Sequence, residues 1–73
     1  MTAAKQMDRE YVIQSRLPEG ENGWEDQSFY AQDKPGLKEA RADIRGYRVS
    51  QPQCEHRLVK KTNGRTTRVL ESV

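Results

Sequence analysis

Over residues 35–48 the apolar side chains Leu37, Ala40, Ile44 and Tyr47 recur at intervals of three, four and three, which aligns them on one stripe of a helix. Asp33 stands at the capping position before it, and Pro35 falls in the first turn, where a missing amide hydrogen costs nothing. Elsewhere the period changes to two. Residues 10–17 (EYVIQSRL) are rich in strand-forming types, and alternation places Tyr11, Ile13 and Leu17 on one face, the predicted core side. Val12, Gln14 and Arg16 then point the other way. PEGENG (18–23) has the chemistry of a loop. Residues 24–31 (WEDQSFYA) follow as a less regular strand. Either Trp24 with Tyr30 or Phe29 with Ala31 can face the helix, and a bulge near Gln27 or Ser28 would reconcile the two sets.

Pro52 disfavours helix at Gln51 and so closes the helical segment. Residues 54–62 (CEHRLVKKT) and 65–72 (RTTRVLES) flank Asn63-Gly64, a pair suited to a type I′ turn. Regular strands on a two-residue turn would set Thr62 opposite Arg65, Lys60 opposite Thr67, Leu58 opposite Val69 and His56 opposite Glu71. The other face would pair Lys61 with Thr66, Val59 with Arg68 and Arg57 with Leu70. Leu58 and Val69 have fewer charges around them and are predicted to meet the helix. The order strand, strand, helix, strand, strand predicts an α+β fold, ββαββ, with one antiparallel sheet and the helix packed on one face. Residues 1–9 are expected to form a disordered tail, and 10–73 a single small domain.

Composition limits what such a domain can do. With 73 residues, 33% of them hydrophobic, there is material for one thin core layer and no separate catalytic domain. A chain of this size buries only about 60% of the surface it exposes when unfolded, so modest stability is expected. A formal net charge of +2 describes a mixed surface that does not by itself announce a nucleic-acid binder. The lone Cys54 excludes an internal disulfide. The first residues lack the apolar run of a signal peptide, and no stretch is long and apolar enough to span a membrane. A cytoplasmic location follows by elimination.

Candidate chemistry is sparse. Cys54 and His56, two apart, would share a strand face, but a thiolate–imidazole pair also needs a cleft and an oxyanion site. As metal ligands they are two short of a tetrahedral zinc site. The simpler reading makes Cys54 a small buried hydrophobe and pairs His56 with Glu71 at the sheet margin. Glu19, Glu21, Glu25 and Asp26 lack the spacing of a calcium loop or an acid–base pair, and Gly20, Gly23 and Gly64 do not form a phosphate loop. No catalytic, cofactor or metal residue is assigned, and the expectation is a protein that is not an enzyme.

YVIQSR, Trp24-Glu25-Asp26, LKEARADIRGYR and EHRLVKK together resemble small accessory proteins of bacteriophages and prophages. The resemblance covers about residues 10–61 and implies a compact protein that acts by binding, often on host machinery, as anti-defence inhibitors do. The residues add a surface for it. On the open sheet face Arg57, Val59, Lys61, Arg68 and Leu70 would form an apolar centre ringed by charge, with Trp24 as an aromatic anchor or else a core residue. This predicts a protein partner. The alternative is nucleic acid, held by Arg57, Lys60, Lys61, Arg65 and Arg68 of the last hairpin and by Arg41, Arg45 and Arg48 of the helix flank. A homodimer through the edge strand 65–72 or the open face is a third possibility.

Overall fold

The apolar alternation in the first and third strands requires cover on one side, and the helix supplies it. The computed structural model describes residues 9–19 and 23–72. It runs β1 (Arg9–Arg16), β2 (Glu25–Ala31), α1 (Lys34–Ser50), β3 (Glu55–Thr62) and β4 (Arg65–Ser72). All strand pairs are antiparallel, in the order β2-β1-β3-β4, which gives the α+β architecture expected of the sequence. Residues 1–8 of the expected tail lie outside the described residues, whereas Arg9 opens β1 and pairs with Thr62. Among the described residues no helix is long and apolar enough to cross a membrane.

Ile13, Ala40, Ile44 and Leu58 have no exposed surface and form the centre of the core. Tyr11, Tyr30, Leu37, Tyr47 and Leu70 pack around them, so all four residues of the predicted helical stripe face the sheet. Leu17 does not: β1 ends at Arg16 and Leu17 is left in solvent. The Asp33 carboxylate caps α1 by accepting from Gly36 N–H at 2.7 Å. The helix continues past Arg48 to Ser50, where Gln51 N–H closes it on the Tyr47 carbonyl at 2.8 Å.

Three register shifts decide which side chains share a face. In the β1–β2 pair Ile13 opposes Ser28 and Gln14 opposes Asp26, leaving Gln27 as a bulge. Ser28 and Tyr30 therefore lie under the helix, where Ser28 Oγ meets Tyr47 OH at 2.6 Å and Tyr30 OH donates to Asp43 Oδ2 at 2.7 Å. Trp24 and Phe29 fall on the opposite face, so the pairing of Trp24 with Tyr30 is not realised. Asn63 and Gly64 have φ of 53° and 78°, the left-handed turn predicted, and Thr62–Arg65 and Lys61–Thr66 pair as expected.

Beyond that turn β4 departs from regularity twice. Lys60 opposes Arg68, with Thr67 bulged. Val59 opposes Val69, Leu58 opposes Glu71 and Arg57 opposes Ser72, with Leu70 bulged. The expected pairs Lys60–Thr67, Leu58–Val69, Val59–Arg68, Arg57–Leu70 and His56–Glu71 are thereby replaced. Val69 points away from the helix, while Leu70 joins the core and Arg68 moves to the helix side with Lys60. Strict alternation would bury the smaller Val69 and leave Leu70 in water. The bulges reverse that exchange.

Burial and the hydrogen bond to Asp43 push the Tyr30 phenol up from its ordinary 10.0 to about 12. A folded-state pKa above the unfolded value gives stability that is complete below the unfolded pKa and lost as pH rises through the folded one. Thermal melts should therefore fall more steeply above pH 10.0 for the parent than for Tyr30→Phe. Superimposable alkaline profiles would refute this role for Tyr30.

Candidate binding surfaces

The sheet face away from the helix is crossed by one apolar row. Phe29, Val12, Val59 and Val69 stand opposite one another from β2 to β4. The two central valines are completely buried, but Phe29 is 56% and Val69 45% exposed. The central pair is covered by side chains of the face itself. Lys61 lies on the row to one side of the valines and Asp26 on the row to the other, and Lys61 Nζ reaches Asp26 Oδ2 at 2.8 Å. That bond carries the lysine stem across the valines. Gln14 Nε2 donates to Asp26 Oδ1 at 2.7 Å, and Arg57 Nε donates to Gln14 Oε1 at 2.8 Å.

Two of the cations on this face, Arg16 and Lys61, are ion-paired, whereas Arg57 is held by the neutral Gln14 and by Trp24. Burial tends to raise the Asp26 pKa, but the hydrogen bonds from Lys61 and Gln14 prevail and hold the carboxyl below its usual value. Arg16 Nε pairs with Glu55 Oε1 at 2.7 Å. Trp24 lies between two guanidinium groups, with Arg16 Cζ at 4.4 Å and Arg57 Cζ at 4.3 Å from its ring. Burial, and then the Arg16 charge, lower the Arg57 pKa, yet a guanidinium remains protonated in any ordinary buffer. The stack fixes the indole at the rim of the face with little rotamer freedom left to lose.

Of the residues expected here, Arg57, Val59, Lys61 and Trp24 do share this face. Arg68 and Leu70 do not, because the β4 bulges turn them to the helix side. Phe29 and Val69 take their place. Phe29 is legible in hindsight, since a bulge at Gln27 puts it on the side of Trp24. The eight cations of the nucleic-acid alternative also divide. Arg57 and Lys61 belong to the hydrogen-bonded network just described, and Arg65 is exposed at the turn. Lys60 and Arg68 stand on the helix side with Arg41 and Arg48, both of which contact Glu71, and Arg45 is exposed on α1.

Cys54 and His56 are separated by their surroundings. Cys54 precedes β3 and its N–H bonds the Gln51 carbonyl at 3.1 Å. Its half-buried position replaces the fully buried one expected. His56 is buried and makes no pair with Glu71; its Nδ1 meets Ser15 Oγ at 2.6 Å and its Nε2 meets Gln51 O at 2.9 Å. A carbonyl can only accept, so Nε2 carries the proton in the neutral ring and Nδ1 receives the Ser15 hydroxyl. The order hydroxyl, imidazole, carbonyl has the form of an activated nucleophile. Here both side chains are buried under the helix end, and the chain of bonds ties the carboxyl end of α1 to the two central strands.

No family model, curated protein or solved structure matches the chain.

Proposed function

We propose that this chain is a small, non-enzymatic module that binds another protein through the sheet face opposite the helix. The observation that supports it most is the row Phe29–Val12–Val59–Val69, with its outer members exposed on a face where Arg16 and Lys61 are ion-paired. Two of the three cations there, Arg16 and Lys61, are already ion-paired, and Arg57 is held by Gln14 and the Trp24 ring, which leaves no open row of cations for a polyanion. A folded protein with an apolar patch and a polar rim does fit. Trp24, preorganised between two arginines, has the chemistry of an interface anchor. The phage-type pattern of the sequence points to a host protein as the partner, met in the host cytoplasm, in the manner of an anti-defence inhibitor.

The test is capture from nuclease-treated bacterial lysate by the parent and by two variants, Phe29→Asp and Val69→Asp. A captured protein should be lost with each, by at least about 30-fold in affinity if these are interface anchors worth 2 kcal/mol or more. Retention by both variants would count against the face. Light scattering should show a monomer at high concentration; a dimer broken by Phe29→Asp would make a second copy the occupant instead.

A further inference from the structure

Helix α1 lies over β1, β2 and β3 and makes no close backbone approach to β4. The helix side of β4 is therefore the floor of a trough whose wall is one flank of α1. Lys38, Arg41, Arg45 and Arg48 follow one another on that wall, about 4.5–6 Å apart along the axis at the usual helical rise. Lys60 faces the floor by alternation with Leu58, and the Thr67 bulge brings Arg68 beside it. Opposing these cations, Glu71 alone among the described residues contributes a carboxylate to the trough, and it is loosely engaged. Arg41 Nε lies 3.4 Å and Arg48 Nη2 3.6 Å from its oxygens. Since the whole chain carries only +2, the trough concentrates a positive field that is balanced elsewhere. On α1 itself a hollow of about 390 Å³, lined by Lys34, Leu37, Lys38, Arg41, Ala42 and Arg45, leaves Lys38, Arg41 and Arg45 accessible.

We propose that this trough binds the sugar–phosphate backbone of duplex nucleic acid, separately from the opposite sheet face. A regular row of cations complements a regular row of phosphates, and arginine forks suit phosphate oxygens. Splayed single strands need aromatic platforms, and the trough has none: Tyr11 and Tyr47 are packed against the core and Trp24 lies on the other face. A membrane surface is disfavoured because the apolar stripe of α1 is already spent on the sheet.

Anisotropy titration of a short labelled DNA duplex, with a single strand, anionic lipid vesicles and polyglutamate as parallel probes, tests this. Contact with about four phosphates predicts weakening of roughly 150-fold between about 50 and 200 mM salt. The exposed double variant Lys38→Gln/Arg45→Gln should flatten the logarithmic salt slope by about 2 while keeping the parent's circular dichroism and melting profile. Glu71→Gln, which removes the competing carboxylate, should tighten binding, and Phe29→Asp should leave it unchanged. Absence of duplex binding at low salt, tighter binding of the single strand, vesicles or polyglutamate, or an unaltered slope in the double variant would each overturn the proposal.

Discussion

Ile44→Ala is expected to lower the melting temperature by at least about 10 °C and to leave much of the chain unfolded at physiological temperature. Truncating a fully buried isoleucine costs about 2–5 kcal/mol, through lost burial and the cavity left behind. A chain of 73 residues has roughly 4–11 kcal/mol of stability in total, so the loss is a large share of it. Ile44 sits between Ile13 and Leu58 with no second core layer to close over the gap. Urea and thermal denaturation measure the effect. A shift below about 4 °C, the equivalent of less than 1 kcal/mol in a domain of this size, would show that the helix contributes far less than its packing implies.

Two glycines in the same helix are expected to respond to alanine with opposite signs. At Gly36 an added Cβ would overlap the Ala31 carbonyl oxygen outright, lie 2.9 Å from the Ala31 carbon and crowd the capping Asp33 Oδ1 at 3.0 Å. The higher helix propensity of alanine offers about 1 kcal/mol. Overpacking against backbone, which cannot rotate aside, costs about 1–3 kcal/mol, and disturbing the cap adds about 1 kcal/mol more. Gly36→Ala should therefore destabilise by about 1–3 kcal/mol. Gly46 is exposed with nothing near its missing Cβ, so Gly46→Ala should stabilise by about 0.4–1 kcal/mol. Melts of the two variants side by side decide the matter, and two shifts of the same sign would defeat the argument.

The helix and the succession ββαββ were legible because each rests on a repeated local pattern: Leu37, Ala40, Ile44 and Tyr47 at helical spacing, Tyr11 and Ile13 at strand spacing, and Asn63-Gly64 between two strand runs; the spatial order β2-β1-β3-β4 was not. The facing of Val69 and Leu70 was not, because it depends on a contest for burial decided by one displaced residue in β4. Nothing in RTTRVLES marks which residue will bulge. His56 was beyond reach for a different reason: its serine partner lies 41 residues away and meets it only once β1 and β3 are paired. The trough was half legible. Helical spacing gathers Lys38, Arg41, Arg45 and Arg48 on one flank and alternation puts Lys60 on the helix side with Leu58, but Arg68 joins them only through the Thr67 bulge.

The bulges have a consequence for how the chain behaves among its own copies. β2 and β4 are the two margins of the sheet, and each is interrupted, at Gln27 in one and at Thr67 and Leu70 in the other. An incoming fifth strand would find its ladder of amide and carbonyl groups broken after a few residues on either margin. Bulged margins of this kind hinder the edge-to-edge extension that is the usual hazard of a small four-stranded layer.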